Sequence, residues 1–125
     1  MFKKARARIE QELRGRLGDD RVVALEDGAN FFGVESKGKA QIRGNGVLAA
    51  TQDEILFVMW FPRKEIRVRR DRVTALERTR WHLGKSVGRE LLRVRFTNDA
   101  GQPDSVAWWV RDLAGWERVL RSAGN

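Results

Sequence analysis

The clearest pattern in the chain is a run of apolar segments and turn residues between positions 44 and 72. Residues 65–69 alternate between apolar and charged side chains, as in a strand with one buried face. Residues 55–61 are almost all apolar and stop at Pro62, which has no backbone N–H to donate within a sheet. The pattern predicts three consecutive strands, at residues 47–50, 55–61 and 65–69, with tight turns at 44–46 and 51–53.

Further strands are predicted nearer the C-terminus. Residues 91–97 alternate, with Arg93 and Arg95 facing outward, and residues 105–110 alternate as well. Residues 73–80 contain several β-branched side chains and predict a fifth strand, although their good helix formers keep a helix open as the alternative.

The segment at residues 21–43 predicts an irregular first strand. A short apolar run is broken at Asp27 and Gly28, and an aromatic strand-like segment follows at residues 30–34. Gly33 lies within that segment and indicates a bulge or a close backbone approach.

Helices are predicted at the two ends of the chain. Residues 2–17 place one narrow apolar stripe at Ala5, Ile9, Leu13 and Leu17. Near the C-terminus, Asp112 is a good N-cap, and Trp116 and Leu120 follow at helical spacing. The basic residues at the start of the first helix could contact an anionic membrane. Packing on the rest of the chain or on a second copy is favoured, because the apolar stripe is narrow and acidic residues begin at Glu10.

These elements predict a mainly β, α+β fold in one compact domain. Short hairpins leave open edges unless the sheet closes, so we expect a closed antiparallel barrel of six to seven strands with the C-terminal helix as a plug. The division is an N-terminal helix at residues 1–20 and the barrel with its capping helix at 21–125.

The apolar third strand and a tryptophan pair predict that the outside of this barrel is covered. Residues 55–61 are apolar on both faces, so either the N-terminal helix or a second copy is expected to pack on the outer one. Trp108 and Trp109 are adjacent on a strand and therefore face opposite sides. For the outer one we expect cover from the N-terminal helix, with an exposed partner-binding patch as the alternative.

The order of elements resembles the bacterial pleckstrin-homology-like and GRAM-like domains. The resemblance covers about residues 30–125 and is carried by Gly44-Asn45-Gly46-Val47-Leu48-Ala49-Ala50-Thr51, Glu54-Ile55-Leu56-Phe57, Ile66-Arg67-Val68 and the late Trp116. It implies a non-enzymatic binding module, in which basic residues of two strand loops surround phosphates. At the matching loops this chain has Lys37, Lys39, Arg43, Arg63 and Lys64.

Charge supports an anionic partner. Lys and Arg number 25 against 17 Asp and Glu, a net charge of +8. Eight bases lie between residues 63 and 80, among them Arg67 and Arg69 on one predicted strand face. The candidate anion-binding or partner-binding residues are therefore Lys37, Lys39, Arg43, Arg63, Lys64, Arg67 and Arg69.

Catalytic chemistry finds no support in the sequence. There is no cysteine and one histidine, His82, so neither a thiolate site nor a histidine metal site is expected. Gly84-Lys85-Ser86 lacks the earlier glycine of a phosphate-binding loop, and the carboxylates are interpreted as surface ion-pair partners. We therefore predict no enzyme activity, no cofactor and no metal.

Three functions from different classes stay open. The first is recognition of membrane headgroups or an acidic protein surface, the second a structural or homo-oligomeric role, and the third nucleic-acid binding through the arginine-rich face. With no signal peptide and no apolar stretch of membrane-spanning length, we expect a cytoplasmic protein, with peripheral membrane attachment as the alternative.

Overall fold

The computed structural model describes residues 2–38, 41–85 and 88–122. Along the chain, one α-helix precedes seven strands and a second α-helix follows them. The elements are α1 (Phe2–Leu17), β1 (Ala24–Val34), β2 (Gly44–Ala50), β3 (Glu54–Met59), β4 (Lys64–Arg69), β5 (Val73–Thr79), β6 (Leu91–Thr97), β7 (Pro103–Trp109) and α2 (Leu113–Ser122). Residues 73–79, for which a helix was the open alternative, form a strand.

The strands form one antiparallel sheet that is not closed. Its order is β4-β3-β2-β1-β7-β6-β5, so β4 and β5 are its two edges. The predicted closed barrel is therefore wrong in this respect. The edge strand β4 exposes Glu65, Arg67 and Arg69, and such charged side chains protect an open edge from pairing with other strands.

The main core lies on one face of this sheet, where α2 covers it. Phe31, Phe57 and Trp108 are fully buried at its centre, with the Phe31 and Phe57 rings stacked 5.5 Å apart. Trp116 and Leu120 of α2 belong to the same cluster, as predicted for a C-terminal helix that packs on the sheet.

A buried carboxylate fixes α2 to β1. Glu26 accepts one hydrogen bond from Trp116 Nε1 at 3.1 Å and another from the backbone N–H of Arg111 at 2.7 Å. The interpretation of all carboxylates as surface ion-pair partners was wrong here, because Glu26 is buried and pairs with neutral donors. Asp112 begins α2 as predicted, and its Oδ1 accepts a hydrogen bond from the N–H of Gly115 at 3.0 Å.

The opposite face of β2 and β3 is covered by α1. Ile9, Leu13 and Leu17 form a second buried cluster with residues of the two strands, Val47, Ala49, Leu56 and Val58. The alternation of β3 explains this arrangement, because Phe57 and Met59 point into the main core while Leu56 and Val58 point toward α1. The predicted outer cover of the third strand is confirmed, and α1 supplies it.

Glycines in β1 and β2 mark close contacts rather than chain breaks. The predicted turn at residues 44–46 is instead the start of β2, where a Cβ on Gly46 would lie 2.2 Å from the carbonyl oxygen of Val58. Asp27 and Gly28 do not end β1 but form a bulge within it. The second irregularity, predicted at Gly33, is confirmed, since the register of β1 against β7 shifts there and Leu83 packs against the glycine.

A third buried cluster lies on the outer face of β1, β6 and β7. It contains Phe32, Leu91 and Ala107, with Trp109 packed against it. Trp108 and Trp109 face opposite sides as predicted, but α1 does not belong to the cluster around Trp109. The connection between β5 and β6 reaches this face instead, because His82 Nε2 lies 2.8 Å from the carbonyl oxygen of Gly33.

Candidate partner-binding surface

Two loops meet at one end of the sheet. The β1–β2 connection contains residues 35–43, and the β3–β4 turn contains residues 60–63. The backbone N–H of Trp60 donates to the carbonyl oxygen of Asn45 at 3.0 Å, which joins the turn to the start of β2. Each loop exposes a large apolar side chain, Ile42 at 60% and Phe61 at 80%. We call this end of the sheet, with both loops, the apolar rim.

Three of the predicted cations lie at the apolar rim without a carboxylate partner in residues 2–38, 41–85 and 88–122. Lys37 is exposed in the β1–β2 connection. The Arg43 guanidinium lies 4.1 Å from the centre of the Phe32 ring, and Lys64 Nζ lies 5.2 Å from that of Phe31. Both charges are thus held by aromatic faces. Lys39, the third predicted cation of the β1–β2 connection, lies outside the described residues.

Arg63 lies at the same rim but takes part in an ion-pair network with α1. It contacts both Glu12 of α1 and Glu65 of β4, and Arg16 Nη1 lies 2.7 Å from Glu65 Oε2. The hydrogen bond from Arg63 lowers the pKa of Glu12, and the hydrogen bond from Arg16 lowers that of Glu65. The network therefore balances the charge of Arg63 and links α1 to β4.

Arg67 and Arg69 lie together on the outer face of β4, as predicted, and each has a carboxylate neighbour. Arg67 Nε contacts Glu54, and Arg69 Nη2 lies 2.7 Å from Asp71 Oδ2. Exposed pairs of this kind add little stability, but they reduce the local positive charge. The structure thus separates the six described candidate residues into a paired set (Arg63, Arg67, Arg69) and an unpaired set (Lys37, Arg43, Lys64).

The open seam between β4 and β5 contains two clefts. One has a volume of about 540 Å³ and is lined by apolar side chains of both halves of the sheet, by Lys37 and by the carboxylates Glu65, Asp99 and Asp104. The other, of about 940 Å³, lies beside Leu120 at the end of α2. Arg67 and Arg69 line both clefts, so these two predicted residues belong to the seam rather than to the apolar rim.

Arg70 has a structural position that the sequence did not indicate. Its guanidinium donates to the carbonyl oxygens of Thr51, Val119 and Leu120 at 2.6–3.0 Å. Desolvation lowers its pKa, although Asp53 acts in the opposite direction. A cation at the C-terminus of α2 satisfies carbonyls that have no partner within the helix.

A further pocket lies on the outer face of β1, β2 and β7, and sequence reasoning missed it. Its volume is about 310 Å³, and it is lined by Asn30, Phe32, Arg43, Asn45, Arg89 and Trp109. The predicted outward direction of one tryptophan of the 108–109 pair was a partial indication of this pocket. No sequence pattern indicated Arg89, because the residues that surround it come from distant parts of the chain. Ile42 and Phe61 were also missed, since an apolar side chain beside a strand is normally buried.

No group of three or more His, Cys, Asp or Glu side chains is placed to hold a metal ion in the described part of the chain. His82 is buried, with Nε2 bonded to the Gly33 carbonyl, and desolvation lowers its pKa. This position fits a structural role, because the buried ring joins the β5–β6 connection to β1. Among the described helices, none has the length and apolar character to cross a membrane.

Comparisons with known proteins identify similar folds only. The sequence matches no family model and no curated protein. A chain of the 8S snRNP assembly intermediate is similar in structure, with a TM-score of 0.59, 8% identity and coverage of 83% of this chain and 80% of that one. The C-terminal domain of an unknown protein from Leishmania infantum has a TM-score of 0.61 and 12% identity, over 92% of this chain and 96% of that one.

Proposed function

We propose that this chain is a non-enzymatic, PH-like binding module whose partner is an anionic membrane surface. The PH-like assignment is supported by the order of elements, seven antiparallel strands followed by a helix that packs Trp116 into the main core. It is also supported by the sequence resemblance over residues 30–125. Because folds host many functions, the choice of partner rests on the surface and not on the fold.

The observation that carries the proposal is the apolar rim with its unpaired cations. Phe61 and Ile42 are 80% and 60% exposed on adjacent loops, although large apolar side chains are usually buried. Lys37, Arg43 and Lys64 lie on the same two loops and their flanks. Apolar side chains that enter the headgroup region, flanked by bases that attract anionic lipids, make a membrane-surface binding site.

The paired set contributes less under this proposal. Arg63, Arg67 and Arg69 each have a carboxylate within ion-pair distance, so their charges are largely offset at the surface. Nucleic-acid binding through the arginine-rich face is a weaker proposal for the same reason. A phosphate backbone would have to displace these carboxylates before it gained contacts with the arginines.

The experiment is co-sedimentation with vesicles of phosphatidylcholine alone or with phosphatidylglycerol added. We expect binding only to the anionic vesicles. Each unpaired base contributes about 1 kcal/mol near such a surface, so the triple variant Lys37→Gln/Arg43→Gln/Lys64→Gln should bind roughly a hundredfold more weakly. The matched control is Arg63→Gln/Arg67→Gln/Arg69→Gln, which removes three charges but should keep most of the affinity.

The apolar side chains are tested separately. The double variant Ile42→Ser/Phe61→Ser should also reduce vesicle binding, because it removes the side chains that enter the lipid. Equal binding to neutral and anionic vesicles, or an equal loss in the two charge triples, would contradict the proposal. If the serine double variant binds anionic vesicles as well as the unmodified protein does, an acidic protein surface becomes the better partner.

Self-association is a second candidate, favoured by Trp81. This side chain is 63% exposed on the β5–β6 connection. That connection approaches the β1–β2 connection, because Leu83 of the former and Gln41 of the latter both lie against Gly33 of β1. Ile42, Phe61 and Trp81 are thus carried by loops that a second copy would cover. Light scattering over a range of concentrations tests this. A dimer that Phe61→Ser or Trp81→Ser abolishes would support it, and a monomer at every concentration would exclude it.

A further inference from the structure

The 310 Å³ pocket on the outer face is built by neighbouring positions of three strands. Asn45 of β2 pairs with Asn30 of β1, and Asn30 pairs with Trp109 of β7, so these three residues form one row across the sheet. Phe32 follows two positions later on the same face of β1. Alternation places Phe31 and Trp108, the partners of this row on the other face, in the main core. The pocket therefore has a rigid floor.

Two arginines lie over this floor. Arg43 Cζ is 4.1 Å from the centre of the Phe32 ring, and Arg89 Cζ is 5.4 Å from that of Trp109. No carboxylate is among the six side chains that line the pocket, and neither arginine has an ion-pair partner within the part of the chain that the structure describes. The aromatic rings hold both guanidinium groups over the pocket, and no carboxylate of the described residues forms an ion pair with them.

The two asparagines add hydrogen-bonding capacity beside these charges. Asn30 Nδ2 donates to Asn45 Oδ1 at 2.7 Å, and Asn45 Nδ2 makes only a long contact of 3.4 Å with the carbonyl oxygen of Gly28. Asn30 Oδ1 is buried and accepts no hydrogen bond from the described residues. Asn45 is exposed, so its Nδ2 can donate to an oxygen of a ligand in the pocket, whereas Asn30 Oδ1 is enclosed by the protein.

The geometry points to a binding site for a phosphate monoester. Two guanidinium groups with no carboxylate between them suit a dianion, and arginine binds phosphate oxygens through two parallel hydrogen bonds. Asn45 Nδ2 can add a further hydrogen bond to a phosphate oxygen. A volume of about 310 Å³ is at the small end of ligand sites, which fits a polyol phosphate or a lipid headgroup of that size.

This site does not depend on the proposed membrane contact. The apolar rim uses Phe61, Ile42 and Lys64 at the end of the sheet, whereas the pocket uses Arg89 and Trp109 on its outer face. Arg43 is common to both, so it is not used to separate them. The other explanation of the pocket is that the long arginine side chains simply cover exposed aromatic rings, in which case no ligand has affinity for it.

The test is calorimetric titration of the full chain with glycerol 3-phosphate, which has a phosphate monoester and two hydroxyl groups. We expect binding that strengthens as pH rises through about 6, where the monoester becomes a dianion. Arg89→Gln should lower the affinity at least about tenfold, since it removes charge-assisted hydrogen bonds. Arg118→Gln, an exposed arginine of α2, is the control with the same loss of charge and should leave the affinity unchanged.

Two comparisons decide the chemistry and the source of the ligand. Glycerophosphoglycerol, a phosphate diester, should bind at least about tenfold more weakly than the monoester. Vesicles with phosphatidic acid, a lipid monoester, are compared with phosphatidylglycerol vesicles using the Ile42→Ser/Phe61→Ser variant. A preference for phosphatidic acid that Arg89→Gln removes assigns the site to a lipid headgroup, and binding of glycerol 3-phosphate alone assigns it to a soluble phosphate.

Three results would overturn the inference. They are no heat of binding for glycerol 3-phosphate at about 10 mM, equal affinity for the monoester and the diester, and an equal loss of affinity in Arg89→Gln and Arg118→Gln. The near-ultraviolet circular dichroism of the tryptophans verifies that each variant is folded. Loss of vesicle binding but not of glycerol 3-phosphate binding in Lys37→Gln/Lys64→Gln, with the reverse result in Arg89→Gln, would show that the two sites are separate.

Discussion

Glu26 Oε1 accepts a hydrogen bond from Trp116 Nε1 at 3.1 Å, which joins a strand near the start of the fold to its last helix. The second oxygen of Glu26 accepts from the backbone N–H of Arg111 at 2.7 Å. One buried carboxylate thus sets both the point where α2 begins and the direction of its main aromatic anchor.

Replacing this carboxylate should destabilise the protein strongly. Glu26→Ala leaves the buried Trp116 Nε1 and the part-buried backbone N–H of Arg111 without an acceptor, so we expect the free energy of unfolding to fall by about 2–4 kcal/mol. Urea denaturation followed by tryptophan fluorescence measures it. Glu26→Gln keeps one acceptor and should give an intermediate loss. If the alanine variant unfolds at the same urea concentration as the unmodified protein, these hydrogen bonds do not fix α2.

Arg70 should be important for the other end of α2. Its guanidinium donates to the carbonyl oxygens of Val119 and Leu120, so Arg70→Gln is expected to cost about 1–3 kcal/mol in urea denaturation. The adjacent Arg69 is the matched control, because its only described partner is the exposed Asp71. Arg69→Gln should change the stability by less than about 0.5 kcal/mol. Equal effects in the two variants would argue against a capping role.

The attachment of α1 can be tested at Leu13. This side chain is fully buried against β2 and β3, and Leu13→Ala should reduce the free energy of unfolding by about 2–5 kcal/mol. Arg8→Ala, at an exposed position of the same helix, should have little effect. The loss at Leu13 should not depend on protein concentration. A loss that appears only at high concentration would mean that α1 packs against a second copy instead.

Two glycines should respond oppositely to alanine. In Gly46→Ala the new Cβ would lie 2.2 Å from the Val58 carbonyl oxygen, a clash with backbone that should cost about 3 kcal/mol or more. At Gly15, within α1, nothing lies within 4 Å of a new Cβ, so Gly15→Ala should stabilise by roughly 0.5–1 kcal/mol. Thermal unfolding of both variants measures this. A tolerated alanine at residue 46 would exclude the close β2–β3 contact.

Stability should fall when the solution becomes mildly acidic, because of His82. Desolvation lowers the pKa of His82 in the folded chain below its value of 6.5 in a model peptide, while the nearby charges of Arg93 and Lys85 lower it and Glu35 raises it. Between the two pKa values, the histidine is protonated in the unfolded chain but stays neutral in the folded chain. The stability of the folded chain is therefore unaffected by His82 above about pH 6.5, and it decreases as pH falls toward the folded-state pKa of His82.

Urea denaturation at a series of pH values between about 5 and 7.5 measures this effect. The control is His82→Gln, which cannot titrate and should have a flatter profile over the same range. Its absolute stability is not the readout, since the variant also changes the bond to the Gly33 carbonyl. Identical profiles for the two proteins would show that other groups cause the acid sensitivity.

The local pattern of the chain was enough to predict most of the elements. The strict alternation of residues 91–97 and 65–69 predicted β6 and β4 almost to the residue, and the stripe in residues 2–17 predicted α1. The doubly apolar third strand also predicted a cover on its outer face. These features are local because the periodicity of a helix or strand is set by the backbone and is visible in any short window.

Tertiary structure alone decided the remaining features. Residues 44–46 have the composition of a turn, yet they extend β2, because strand packing against Val58 and Met59 leaves no room for a side chain. The pairing of Arg63 with Glu12 and of Arg67 with Glu54, and the placement of Arg89 over Trp109, join positions far apart in sequence or on different strands. Whether a sheet closes depends on the distance between its edges. A count of basic and acidic residues determines the net charge of +8, but only the fold determines which of the basic residues have carboxylate partners.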